Sequence, residues 1–291
     1  PFSLGGWGWQ VRVFWLCLVV NFACVSGRAD GNCRMGLITE FMRLAAGEAG
    51  HGELALGAGI VFVAFFVRGY TGFGASLIAV GLLTFIWPPA QVVPVLFLLE
   101  ILASAVLLPG VWRDVQWRAL SWLWIGAAFA MPVGLYVLAN VPADIMSLSI
   151  AALIGVAATV LLLGVNLRFA PGRAATLATG GLVGLLNGAS AIGGPPAVLF
   201  FFSNAAGIVS GRASLIAFFL VLDVIAAGFA SVQGLYDLAL VARAFALAPF
   251  MLIGAFAGAH AFGLADPETV RRAALVLLIC VAVFRLLGGI F

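Results

Sequence analysis

Two glycine-rich breaks interrupt long apolar stretches of this chain: Arg68-Gly69-Tyr70-Thr71-Gly72-Phe73-Gly74-Ala75-Ser76 and Asn187-Gly188-Ala189-Ser190-Ala191-Ile192-Gly193-Gly194-Pro195-Pro196. They lie about 119 residues apart. In hydrocarbon every backbone amide has to be bonded within its own helix, so a helix that breaks at membrane depth is either buried in protein or lines a polar cavity. Paired breaks of this kind are the pattern of transporters whose freed amides become ligands.

The surroundings of the breaks are membrane-like. Hydrophobic residues make up 64% of the chain and charged residues 9%, with a mean hydropathy of +1.21, which excludes an ordinary soluble domain. From residue 54 onward the sequence divides into ten apolar segments, at 54 to 67, 74 to 87, 92 to 109, 119 to 139, 144 to 164, 175 to 190, 195 to 207, 213 to 231, 238 to 262 and 269 to 290. The glycine breaks alone separate the first pair and the sixth and seventh. Each pair is therefore a tight helical hairpin or two half-helices. Pro88, Pro89 and Pro94 punctuate the end of the second segment, and Pro171-Gly172 the middle of the chain.

The repeat extends past the breaks. At an offset of about 120 residues, Val133-Gly134-Leu135 falls on Ile253-Gly254-Ala255, and the loop Arg113-Asp114-Val115-Gln116-Trp117 falls near Gln233-Gly234-Leu235-Tyr236-Asp237. Five segments per copy is an odd number, which inserts the second copy upside down. The expected fold is an all-α polytopic membrane protein of two inverted five-segment repeats, with repeat 1 at 54–164, a linker at 165–174 and repeat 2 at 175–291.

Residues 1–53 form an N-terminal extension of different character. The apolar run 7 to 25 is interrupted by Arg12 and followed by a polar stretch to Arg34, as in an uncleaved signal or an additional span. Met35 opens a short amphipathic stretch and marks the expected native start. Cys17, Cys24, Cys33 and Cys280 supply no close CxxC pair, so neither a metal nor a cofactor is expected.

The net charge of +3 comes from arginine alone, since there is no lysine. The arginines are scattered through loops and line no single face, which argues for topology and against nucleic acid. With alternating segments, Arg68, Arg113, Arg118, Arg168, Arg173, Arg212, Arg271 and Arg272 collect on one side, and Arg243 and Arg285 with the N-terminal arginines on the other. The first side is expected to be cytoplasmic.

The motifs resemble those of the TauE/SafE sulfite exporter family, which carries two Gly-rich elements, one near the start of each membrane half, and a Val-Asp-Trp-like loop later in each. Here those are Gly69-Tyr70-Thr71-Gly72-Phe73-Gly74 and Gly188 to Pro196, with the loops Asp114-Val115-Gln116-Trp117 and Leu235-Tyr236-Asp237. The resemblance covers residues 54 to 291. It implies transport of sulfite, organosulfur anions or related small anions such as carboxylates across a cell membrane, the bacterial inner membrane in particular.

The residues themselves fit an anion. Unwound backbone and half-helix N-termini offer N–H groups, and glycine permits close approach. The expected substrate-binding set is Arg68, Gly69, Thr71, Gly72, Gly74, Ser76, Asn187, Ser190, Gly193, Gly194 and Pro195. For the small residues, tight helix packing is the competing account. Arg68 is the cation beside a break and offers an anion two parallel donors, or else snorkels to the interface. Glu100 and Asp223 sit near the centres of apolar segments at roughly matching places in the two repeats, where an ionisable acid marks an ion path or proton relay. His260 reads as structural.

A secondary transporter accounts for all of these features. An anion channel would explain the breaks but gives the two acids less purpose. An intramembrane enzyme would require a nucleophile with its base or a metal set, and the chain has two histidines, no HExxH and no GxSxG. The expected partners are a small anion and the lipid bilayer, and a homo-oligomer is compatible with both.

Overall fold

The computed structural model of the protein describes residues 50–163, 172–202 and 207–261, with positions 276, 279, 282 and 283. The described residues are helical, without strands. Helices α1 (Gly50–Thr71), α2 (Ala75–Leu83), α3 (Pro89–Leu107), α4 (Trp117–Asn140) and α5 (Ala143–Leu162) are followed by α6 (Arg173–Ser190), α7 (Gly194–Phe202), α8 (Gly207–Val232) and α9 (Leu238–Ala261). Single 3-10 turns at Leu108–Gly110 and Trp112–Asp114 join α3 to α4. The tenth expected segment, the extension before residue 50 and most of the linker lie outside the described residues.

Local chemistry sets the boundaries. Pro89 starts α3 where its missing N–H costs nothing, and Pro142, in extended conformation, precedes α5. Gly72 and Gly74 adopt left-handed backbone at φ 88° and 91° and stop α1 before α2 begins. Six described helices are long and apolar enough to cross a membrane, namely α1, α3 with the turn after it, α4, α5, α8 and α9. Between the half-helix and hairpin readings the outcome is mixed. α1 and α6 are long, with 22 and 18 residues, whereas α2 and α7 have nine each, about 14 Å at helical rise. A Cβ on Gly57 would press on Leu83 and Trp87, so α2 runs back along α1 as a hairpin.

The helices interlock by glycine faces. Lipid is as apolar as a leucine side chain, so membrane helices associate through close packing of small residues more than through the hydrophobic effect. Gly126, Gly134, Gly180, Gly184 and Gly188 bring α4 and α6 together so closely that an added Cβ would collide with the facing backbone, Gly184 against the Ala127 carbonyl for example. Gly69, Gly254 and Gly258 do the same for α1 and α9, with Gly258 against the Phe66 carbonyl. These two are the most extensive helix pairs of the described fold. Each joins a helix before the linker to one after it.

The contacts also give directions. Gly126 faces Leu177 and Gly134 faces Leu185, so α4 and α6 run the same way; Gly254 facing Phe62 and Gly258 facing Phe66 make α1 and α9 parallel. α3 and α8 run oppositely, since Ala105 and Leu108 share a cleft with Leu220 while Leu98, Ile101 and Leu102 share one with Ala227, Gly228 and Ser231. α4 advances with α8, through Gln116 on Ser214 and Trp124 on the Phe218 carbonyl. α3 and α9 begin on the same side, joined by Arg243 and Gln91.

The antiparallel α3–α8 pair forms the centre, with Leu96, Phe97, Leu99, Phe218 and Leu222 buried. The outer surface is apolar, Phe129 being 82% exposed, as a lipid-facing wall requires. Three arginines leave the loop tally. Arg68, Arg212 and Arg243 lie inside α1, α8 and α9 and engage protein groups, so they do not report topology as loop charges do. Arg113 and Arg173 remain on a common side, where α4 and α6 begin, with Arg173 stacked 5.5 Å over Trp122.

If glycine contact holds these pairs, substitution by alanine discriminates sharply. Gly184→Ala and Gly258→Ala are expected to cost about 1–3 kcal/mol each by forcing the helices apart. Gly228→Ala, which meets nothing within 4 Å, leaves stability unchanged or raises it. Thermal unfolding of the purified protein in detergent makes the comparison, and equal losses at all three positions would contradict it.

Candidate functional site

Arg68 lies in the last turn of α1 and is only 2% exposed. The side chain is turned into the protein and not outward to its surface. Its guanidinium forms an ion pair with Glu100, which is equally buried near the middle of the α3 span, and donates to the Ser104 hydroxyl at 2.6 Å. Ser76, in the first turn of α2, donates to the other Glu100 oxygen at 2.8 Å. Phe219 of α8 lies under the guanidinium, 5.9 Å from ring centre to Cζ. The two helices flanking the first break thus converge on one carboxylate of α3.

The second break repeats the placement with different chemistry. Asn187, in the last turn of α6, donates to Asp223 of α8 at 3.0 Å and accepts from the Gly193 amide at 3.3 Å. Arg68 to Ser104 and Asn187 to Asp223 span the same 36 residues. At the offset of about 119 residues, Arg68 therefore corresponds to Asn187, Ser104 to Asp223, and Glu100 to Phe219. The expected match of Glu100 with Asp223 is shifted by one helical turn. Sequence position alone could not resolve this, because two acids in apolar runs look equivalent until their partners are known.

The two halves meet electrostatically across the α3–α8 pair, where Asp223 is within reach of the charges of both Glu100 and Arg68. Arg68 Nε and Asp223 Oδ2 are buried without a hydrogen-bond partner among the described residues. Such atoms are costly in a dry interior, and a polar ligand would relieve them.

The other expected site residues fall into two groups. Thr71 and Ser190 turn their hydroxyls back to the carbonyls of Val67 and Leu186, each at 2.8 Å, closing the ends of α1 and α6. Gly69 is used up in packing, its Cα facing the Ala255 carbonyl of α9. Gly72 and Gly74 supply the left-handed turn, Gly193 sits against Asn187, and a Cβ on Gly194 would meet nothing. Pro195 lines an apolar cleft of ≈ 580 Å³ between α5, α6 and α7. Ser104 and Arg212 were not anticipated. Arg212 donates to the Gly69 carbonyl at 2.6 Å and lays its stem against Gly72, so it braces the first break. A serine in an apolar run and an arginine at a segment edge carry no signal of their own. His260 is exposed near the end of α9.

The loop elements dock reciprocally. Gln116 donates from its backbone to Ser214 and from its side chain to Ser210 of α8, at 2.9 and 3.2 Å. Tyr236 donates to the Pro94 carbonyl of α3 at 3.0 Å; burial and then the Asp223 charge hold its hydroxyl above the usual phenol range, so it remains a donor. A cavity of ≈ 900 Å³ opens beside Trp112, Arg113 and Asp114 and reaches Ala105 and Leu220, next in sequence to Ser104 and Phe219. No group of acids, histidines and cysteines able to hold a metal ion occurs among the described residues.

The chain matches the family model described as sulfite exporter TauE/SafE over residues 57–285. It is 29% identical over 247 residues to the probable sulfite/organosulfonate exporter TauE of Cupriavidus necator, covering 82% of this chain and 93% of that protein. No solved structure matches it.

Two stability tests follow from the geometry of the breaks. Ala191 holds a left-handed φ of 55° at the end of α6, where Gly72 stands at the end of α1. Ala191→Gly is expected to stabilise by up to about 1 kcal/mol, and Gly72→Ala to destabilise by more than that, since the new Cβ would strike the Arg212 stem. Arg68→Ala should cost about 3–5 kcal/mol by leaving Glu100 unpaired, and the double Arg68→Ala, Glu100→Ala variant should lose less. Unfolding midpoints check all four, and a double variant as unstable as the sum of the singles would remove the pairing from the account.

Proposed function

The chain belongs to the TauE/SafE sulfite exporter family of membrane transporters, and from that premise we propose that it is a secondary carrier of small oxyanions, with Arg68 as the anion's partner and Glu100 and Asp223 as the proton-coupling groups. The family's members are exporters and not enzymes. The observation that carries the reading is a guanidinium buried beside a broken helix, paired with a carboxylate and bonded to one hydroxyl while a second hydroxyl holds the carboxylate. Arg presents paired donors that match the paired oxygens of sulfite, a sulfonate or a carboxylate, and a dry setting strengthens the contact.

Sulfite and organosulfonates are the favoured substrates, since the similar Cupriavidus protein is named for both. The cavity beside Arg113 is the proposed approach to the site from the arginine-bearing side, which we assign to the cytoplasm of a bacterial inner membrane. The inverted-repeat reading draws support from the helix directions. α1 runs with α9 and α3, α6 with α4 and α8, and the two sets run oppositely, so the first helix of each half points the opposite way. Rocking of such halves about a shared site is the usual route to alternating access.

Sulfite flux into proteoliposomes tests the proposal. A carrier saturates and responds to a pH gradient, whereas a channel gives ohmic current. Arg68→Ala is expected to weaken binding by about ten- to a hundredfold, the value of a charge-assisted hydrogen bond. Glu100→Gln and Asp223→Asn should retain binding and lose acceleration by the gradient in whichever carries the proton. Unaltered pH dependence in both would remove the proton relay and leave the anion site.

A further inference from the structure

We propose that the Glu100 carboxylate is a tethered stand-in for the transported anion, seated between Arg68 and Ser76 until a proton neutralises it and an external oxyanion takes its place. The inference rests on the reading of Arg68 as the anion's partner and specifies how the site is regulated.

Shape comes first. Glu100 places one oxygen on the Arg68 guanidinium and accepts the Ser76 hydroxyl with the other, at 2.8 Å, while Arg68 is steadied by Ser104 at 2.6 Å. Any two oxygens of a sulfonate or sulfite present a similar pair of acceptors, so donors that hold the side chain also fit the ligand. The second half shows that a broken helix end can be closed without an ion pair. There the same sequence spacing is closed by the neutral donor Asn187 on Asp223, and Phe219 stands at the place corresponding to Glu100. Helix α7, moreover, begins with Pro195 and Pro196, which have no N–H, whereas α2 begins with Ala75, Ser76 and Leu77 after an N-cap without a side-chain bond. The donors are gathered at the first break.

Charge decides the coupling. The groups facing Glu100 are Arg68 from α1, Ser76 from α2 and, across α8, Asp223. On the other packed elements Arg212 is committed to the Gly69 carbonyl, Arg243 to Gln91, and His260 is exposed. An anion entering while Glu100 stays ionised would set its charge and that of Glu100 against one nearby guanidinium. Protonated Glu100 gives up its claim on Arg68 and restores the balance. Anion binding therefore takes up a proton, and affinity falls as pH rises.

Methanesulfonate is the first probe, because it stays ionised across the neutral range, whereas sulfite itself titrates there. Calorimetry on the purified full chain, at pH 6, 7 and 8 and in buffers of different ionisation enthalpy, is expected to give close to one proton taken up per anion. Affinity should fall by up to about tenfold per pH unit, the limit for one linked proton. Glu100→Gln should bind without proton uptake, independently of pH, and more tightly than wild type at pH 8; binding by this variant alone would support the proposal equally. Should it not fold, proton uptake by the wild type at the three pH values decides. If sulfite binds and methanesulfonate does not, the same comparison with sulfite isolates Glu100, as the ligand's own titration is common to both proteins. Wild-type binding without proton uptake, or uptake undiminished in Glu100→Gln, overturns the proposal and leaves the anion site standing. Failure of both anions to bind either protein overturns the anion reading itself.

Discussion

A guanidinium cannot rest unpaired in hydrocarbon, and the arrangement around Arg68 follows from that constraint. Arg68 requires a carboxylate within its reach, which holds α3 at the register where Glu100 meets it. The chain has to turn just beyond Arg68 for Ser76 to reach the same carboxylate, and the left-handed Gly72 and Gly74 make that turn. Freed carbonyls at the end of α1 need donors in turn, and Arg212 and Thr71 are drawn in. The break, the hairpin and the register of α3 are one solution to one electrostatic problem.

The two broken helix ends stand at matching sequence spacings on either side of the linker, yet the chemistry at them differs. One helix end offers a permanent cation and the other a neutral amide; a glycine turns the chain at Gly72 and an alanine at Ala191. A fold that brings two equivalent helix ends to a common central pair needs only one of them to carry charge. At the other, one oxygen of the buried Asp223 has no hydrogen-bond partner among the described residues.

Much of the architecture was legible because local physics writes it into the sequence. Apolar runs, prolines and paired glycines located the helices of the described residues to within about two turns, and α1 to α9 keep the expected order. What stayed hidden depends on tertiary register. Nothing in the sequence says that Glu100 belongs to Arg68 and not opposite Asp223, since a shift of one turn in α3 would exchange those relations. Arg212 and Arg243 were read as loop charges because they stand near segment edges, and only the helices packed against them reveal them as internal donors. The glycines of α4 and α6 had a packing account available, but which helix they would meet was beyond the sequence.

The partnership of α1 with α9 has a consequence for how the chain is made. Gly69 meets Ala255, the product of a much later stretch of synthesis. At about 5–20 residues per second the first helix waits roughly ten to forty seconds for the surface that covers its glycine face. The interval before Glu100 emerges is several times shorter, so the dangerous charge is neutralised early while the harmless small-residue face stays open to lipid. The nascent protein is thus a loosely held bundle until its last helices are threaded, and the insertion machinery or a neighbouring chain can lodge against α1 in the meantime.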